Sequence, residues 1–191
     1  MSKIGISNFH YATMSTEDTA TSSPTYATPV AVPGLVSVNV ETASNTAELY
    51  ADNMLYEVAE AQGKTTVTID LADLPMDVQA ALLGHTYDST NKTLMKSSSD
   101  VAPYVAIQFE FLMGNGKKRC VTLYKGKFAI PNQSGQTKGE NTEFQTSEIS
   151  ATFAALKGDA LNAGHWEYDK DFESNASTAT YYSAIYLKTA G

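Results

Sequence analysis

Gln62–Leu71 reads QGKTTVTIDL, and its second half decides the fold. From Thr65 the β-branched residues Thr65, Thr66, Val67, Thr68 and Ile69 follow one another without a break. Val67, Ile69 and Leu71 alternate with Thr66, Thr68 and Asp70, the period of two that belongs to a half-buried strand. Gly63-Lys64-Thr65 also matches the close of a phosphate-binding loop. That motif needs a glycine five residues earlier, where Val58 stands, and it must open a helix whose first amides face the anion. Both conditions fail, so the stretch is read as a strand and not as a nucleotide site.

The same alternation occurs upstream in LVSVNVE, where Val36, Val38 and Val40 are set against Ser37, Asn39 and Glu41. Between the two runs, residues 42–64 form an acidic insert that is either a short helix or a long hairpin loop. Downstream, ADLPMDVQAALLGH predicts the one clear helix, at about residues 75–83. Asp73 can cap it, Pro75 fits its first turn, Asp77 suits its positive end and Gly84 stops it. YVAIQFEFLM and RCVTLYKGKFAI follow as strands joined by Gly114-Asn115-Gly116, a hairpin signal. EFQTSEISATFAAL alternates around Ile149, Ala151 and Phe153, and an aromatic strand, YYSAIYL, lies near the C-terminus. Many strands with one helix predict a mainly β protein: an antiparallel sandwich or partly closed barrel with a short flanking helix.

The organisation expected is an N-terminal strand with an arm or loop over 1–33, a β-sandwich over 34–157, and a C-terminal arm or small appended hairpin over 158–191. The Thr, Ser, Ala and Pro tract of residues 15–29 is too poor in apolar residues to hold a core of its own. Long arms of this kind are expected to wrap a neighbouring subunit.

With 191 residues the chain can bury a core without disulfides, and its single cysteine, Cys120, excludes an intrachain disulfide. Cys120 lies in the strand-like CVTLY and is expected to be buried filler. A net charge of -8 argues against gripping nucleic acid, which requires Lys and Arg to neutralise phosphates. The stretch MSKIGISNFHYATM has no signal-peptide pattern, and no apolar run approaches the roughly 18 residues of a membrane span. The expectation is a protein made in the cytosol with no membrane partner. His10, His85 and His165 lack metal-ligand spacing, and the carboxylate groups Glu57/Glu60, Asp70/Asp73 and Asp169/Asp171/Glu173 lack the pattern of a calcium loop. No nucleophile elbow is present, so no enzyme, cofactor or metal is expected. Lys117, Lys118, Arg119, Lys125 and Lys127 gather in one hairpin, read as an edge charged against unwanted pairing rather than a nucleic-acid patch.

Three segments together resemble one family. ELYADNMLYEVAEAQGKTTVTIDLADLPMDVQAALLGHTYD, APYVAIQFEFLMGNGKKRCVTLYKGKF and TKGENTEFQTSEISATFAAL, spanning residues 48–156, are similar to the major tail proteins, or tail tube proteins, of long non-contractile-tailed phages (siphophages) of Gram-positive hosts. The resemblance implies a structural virion protein, made and assembled in the host cytoplasm. Six copies would form a homohexameric ring, and rings would stack into the tube through which the genome is ejected. It implies as partners further copies of the chain, the tape measure protein and the tail tip and terminator proteins, with DNA passing through the lumen without specific binding. The insert of residues 42–64 falls where the ring-stacking loop would be, offering Glu48, Tyr50, Asp52, Asn53, Tyr56, Glu57, Glu60 and Lys64 as contacts. Ser37, Asn39, Glu41, Thr66, Thr68 and Asp70, with Glu148, are the candidates to line the lumen. The rival reading is a carbohydrate- or ligand-binding β-sandwich module using exposed tyrosines.

Overall fold

A computed structural model of the chain describes residues 2–133, 135, 137, 145–158, 161–174 and 176–189. The KGE stretch, with Glu143 and Phe144 of EFQT, in the third resembling segment lies outside the described residues. The elements in order are β1 (Lys3–Thr16), β2 (Thr25–Tyr26), β3 (Val30–Ala31), β4 (Leu35–Ala51), β5 (Met54–Leu71), α1 (Met76–Leu83), β6 (Thr86–Asp88), β7 (Thr93–Met95), β8 (Val105–Met113), β9 (Lys118–Phe128), β10 (Ser147–Ala154) and β11 (Glu167–Phe172). The aromatic strand expected at YYSAIYL is corrected: Tyr181–Ser183 form a short 3-10 turn and residues 184–189 form no strand, the segment being held by the packing of Tyr181 and Tyr182 rather than by strand pairing. The helix is not long enough to cross a membrane.

The fold is mainly β. Nine strands form one antiparallel sheet in the order β2-β1-β8-β9-β10-β5-β4, with β3 on β1 and β11 on β9; the sheet does not close into a barrel. Strand β9 makes it fold over. One edge of β9 pairs with β8, while the other is shared: Lys118–Leu123 pair with β11 and Lys125–Phe128 with β10. Strands β10, β5 and β4 therefore leave β9 at its C-terminal half, and their apolar face encloses a common core with β1 and β8. Phe9, Val67, Ile69, Leu71, Ile107, Phe109, Leu123, Ile149 and Phe153 fill that core, each at most 1% exposed. Burying a side chain of this size contributes about 1.5–3 kcal/mol.

Helix α1 supplies Val78, Leu82 and Leu83 to the same core. Its predicted cap is corrected. Pro75, not Asp73, occupies the N-cap, no side chain caps the first turn, and Asp77 alone complements its positive end. Gly84 ends the helix in the left-handed region at φ 74°, donating its N–H to Ala80 O. The basic hairpin is also corrected: β9 is an interior strand, flanked by β8 on one side and by β10 and β11 on the other, so it is no edge.

Both faces of β8 and β9 are buried. The outward residues Gln108, Glu110, Cys120 and Thr122 lie beneath residues 176–189 of the same chain, led by Tyr181 and Tyr182. Buried polar atoms need partners, and the segment provides several of them, while Gln108 Oε1 is left without one among the described residues. Gln108 Nε2 donates to Tyr181 O at 3.2 Å, Tyr181 OH meets Thr122 Oγ1 at 2.6 Å, and Tyr124 OH donates to Tyr186 O at 2.9 Å. Glu110 Oε1 accepts from Ser7 Oγ at 3.1 Å and Asn8 Nδ2 at 2.8 Å. Tyr182 stacks on His10 at 4.3 Å between ring centroids. Burial pushes the Cys120 thiol up to about 11, so the cysteine is inert filler.

The N-terminal tract is held from the other side. Asp18 forms a buried ion pair with Lys125 and accepts the Lys157 amide N–H. Burial favours its neutral form, but these donors outweigh that and hold the carboxyl below its usual range.

Two measurements check this architecture. A Cβ on Gly126 would stand 2.5 Å from the ring of Phe153, which is 1% exposed and cannot swing away. Gly126→Val is expected to destabilise by at least the ~1–3 kcal/mol of an overpacked core, read as a lower melting temperature. On β11, burial and the neighbouring Asp169 push Glu167 up to about 7. A carboxyl with a raised folded pKa binds its proton more tightly in the folded state, so stability falls as pH rises from its ordinary value of 4.5 through about 7. Glu167→Gln should therefore raise the melting temperature more at pH 8 than at pH 5; an equal rise at both would refute the assignment.

Candidate functional site: a polar sheet face and an exposed ribbon

The register of β4, β5 and β10 gathers the polar residues into rows. Ser37 lies opposite Asp70, which lies opposite Glu148; Asn39, Thr68 and Ser150 form the next row; Glu41, Thr66 and Thr152 the third. The intervening rows, Val38-Ile69-Ile149 and Val40-Val67-Ala151, face the core. The seven residues predicted as lumen-facing thus share one face of a three-stranded patch. Ser150 and Thr152 belong with them and were missed, although the alternation around Ile149, Ala151 and Phe153 carries the signal. Ser37 Oγ donates to Asp70 Oδ2 at 2.5 Å and Asn39 Nδ2 to Glu41 Oε1 at 2.8 Å.

The charge on these rows is one-signed, from Glu41, Asp70 and Glu148. The first cation in register is Lys127, opposite Thr152, whose Nζ sits 4.4 Å from the centroid of the Tyr104 ring. One expectation fails within β4. Val36 does not alternate with Val38 and Val40, because the register shifts between Leu35 and Ser37. Leu35 pairs with Leu71 instead, and Val36 is left 51% exposed as a bulge residue.

Beyond Thr42 and Thr65, whose hydroxyls meet at 3.1 Å, β4 and β5 continue without the rest of the sheet. The insert is a β-ribbon and not a helix. A second register shift lies between Thr42 and Ser44; pairing then runs from Ser44 with Gln62 to Ala51 with Met54. Asp52 and Asn53 close the turn with φ of 51° and 62°, the positive pair that a two-residue hairpin turn demands. At ~3.3 Å per residue, the ribbon from Lys64 to Met54 extends roughly 35 Å.

Every residue from Glu41 to Lys64 is exposed. That includes all eight stacking candidates, Glu48, Tyr50, Asp52, Asn53, Tyr56, Glu57, Glu60 and Lys64, and also the apolar Leu49 at 54%, Met54 at 70% and Tyr56 at 75%. The ribbon has two faces of different character. Thr46, Glu48, Val58 and Glu60 alternate with Ala47, Leu49, Glu57 and Ala59. Tyr50 OH donates to Glu48 Oε2 at 2.8 Å along the acidic face.

The other constellations are spent within the chain. Lys117 pairs with Glu173 at 2.8 Å, Lys118 with Glu110 at 3.4 Å, and Arg119 makes two hydrogen bonds to Asp171 at 2.7 and 2.9 Å. His85 Nδ1 meets Asp100 Oδ2 at 2.7 Å, tying the end of α1 to the loop before β8. Among the described residues no three His, Cys, Asp or Glu side chains converge as a metal site.

No curated protein matches the chain in sequence. Seven solved chains match it in fold, among them the anti-feeding prophage cap (AFP tube terminating cap) determined by cryo-EM. That structure is 8% identical, covers 89% of this chain and 93% of its own, and superposes with a TM-score of 0.46, too loosely to bear on function. The family described as "Phage tail tube protein" matches residues 26–188, a span that takes in both the polar face and the ribbon. A β-rich chain with these features, matched over that span, belongs to the phage tail tube protein family and is a structural, non-enzymatic component of the phage tail.

Proposed function

We propose that this chain closes into hexameric rings that stack into the tail tube of a siphophage, the conduit for genome ejection. The observation that carries the reading is the ribbon of residues 44–62. A two-stranded hairpin in water is at best marginally stable, and this one also exposes Leu49, Tyr50, Met54 and Tyr56. It needs a second surface, and a neighbouring ring provides one at every repeat.

The free edge of β4 supports ring closure. Among the described strands β4 pairs with β5 alone, so from Leu35 to Thr42 its other edge is a template for a further strand. Joining edges around a ring removes that liability, and head-to-tail contacts close when the rotation closes. Ser37, Asn39, Glu41, Thr66, Thr68, Asp70 and Glu148 then line the lumen. Their acidic character repels DNA phosphates and lets the genome pass without sticking. The tape measure protein would fill this lumen before ejection, and terminator and tip proteins would cap the two ends. Assembly in the host cytoplasm follows from the same reading, as does the exposure of both ring faces to further copies.

Negative-stain electron microscopy of the concentrated protein should show rings or tubes with a central hole; persistent monomers would refute the proposal. Deleting residues 45–61 should leave a folded protein that no longer stacks, and long tubes from that variant would remove the ribbon from its role. Glu41→Lys with Asp70→Lys should leave tubes intact while slowing DNA passage. Unchanged ejection, or loss of assembly, would count against the lumen assignment.

A further inference from the structure

Residues 43–63 contain Glu48, Asp52, Glu57 and Glu60 and no Lys or Arg. Whatever covers the ribbon must supply cations, because like charges brought together at an interface cost several kcal/mol. Most cations of the chain are already engaged. Lys117, Lys118, Arg119 and Lys125 face acids of their own chain, and Lys3, Lys127 and Lys170 lie over aromatic rings.

Of the others described, Lys64 stands at the ribbon's own base and Lys157 and Lys188 stand singly in sequence, whereas the β6–β7 hairpin brings two lysines together. Residues 89–99 carry Lys92 and Lys96 and no acid, and neither lysine has an ion-pair partner among the described residues. The acids that bracket the stretch are occupied. Asp88 accepts the backbone N–H of Thr90 and Asn91 at 2.8 and 3.2 Å, and Asp100 accepts from Ser97 N at 2.8 Å and from His85. Met95 lies between the lysines on β7 and is 66% exposed. Like the ribbon, β6–β7 forms a two-stranded sheet of its own, unpaired with the main sheet.

Connectivity sets the two hairpins apart. The ribbon joins the body at the Thr65 end of β5, whereas β6–β7 joins it through α1 at the Leu71 end. The ribbon is exposed along its whole length, so the hairpin of its own chain does not cover it. A head-to-tail stack brings one end of each copy to the other end of the next.

Resting on the stacking role proposed above, we infer that the acidic face of the ribbon docks on the β6–β7 hairpin of a copy in the adjacent ring. Glu48 and Glu60, two register positions apart on one ribbon face, meet Lys92 and Lys96. Met95 packs against Tyr50, a sulfur–aromatic contact of the kind that fills adaptable interfaces. The occupant of each hairpin is thus a second copy of this chain.

Charge reversal tests the pairing. Lys92→Glu with Lys96→Glu, and separately Glu48→Lys with Glu60→Lys, should each cut the tube fraction at least tenfold in sedimentation and negative stain. Far-ultraviolet circular dichroism and melting should be unchanged, since all four sites are exposed. The quadruple variant should recover tubes. Wild-type assembly by the lysine pair, or failure of the quadruple variant to recover, would overturn the pairing. The deletion of residues 45–61 separates the two claims. If it abolishes stacking while the lysine variant stacks normally, the ribbon keeps its role and only the docking surface is wrong. If the deletant itself stacks, both fall.

Discussion

The antiparallel pairing of β4 with β5 runs well past the body of the protein, and the rest of the structure is arranged around that fact. Within the body, from Leu35 to Thr42 and Thr65 to Leu71, the pair has a core face and a polar face. Past Thr65 it has no core to lie on, so the same two strands become a free ribbon. One pairing therefore produces both a polar surface on the body and a projection that exposes apolar side chains on both its strands. Backbone hydrogen bonds hold the ribbon's register, but they leave its apolar side chains Leu49, Met54 and Tyr56 in water.

The body is built to present that pair rigidly. Sharing one edge of β9 between β10 and β11 folds the sheet over its core, and Gly126 permits the close approach of Phe153 that the fold requires. The terminal segments, extended as their composition suggests, lie against their own sheet. Tyr181 and Tyr182 cover Gln108, Cys120 and Thr122, while Asp18 and Lys125 hold the N-terminal tract. Buried polar groups of this kind are tolerated only when satisfied. Here nearly every one is supplied from a segment distant in sequence, which ties the ends of the chain to its middle.

Much of this was legible in the sequence. The period of two in TTVTIDL and SEISATFA identified strands, the correct buried faces, and the polar residues Thr66, Thr68, Asp70 and Glu148 that share a face, because a strand's side chains alternate whatever it pairs with. Helix α1 was legible from Pro75, Asp77 and Gly84, which act locally. Misreadings arose where pairing, rather than propensity, decides. The bulge that exposes Val36 depends on how β4 registers against β5. The insert was equally readable as helix because Ala47, Glu48, Ala59 and Glu60 favour helices, and only its cross-strand partners make it a ribbon. The basic residues near Lys117 suggested an edge because their acidic partners Asp171 and Glu173 come from a strand and turn fifty residues away.

The sequence by itself determined the strands that alternate around Val67, Ile107, Leu123 and Ile149, where the single helix stops, that Cys120 has no partner for a disulfide, and that the insert is acidic. These are matters of alternation, local sterics and composition, all readable over a few residues. Only the tertiary structure decided that β9 is shared by two strands, that Ser150 joins the row of Asn39 and Thr68 and Thr152 that of Glu41 and Thr66, and that the C-terminal aromatics seal the outer face of β8 and β9. Each of those depends on which distant backbone edges meet, and edge pairing is set by the collective packing of the core rather than by the residues of any one strand.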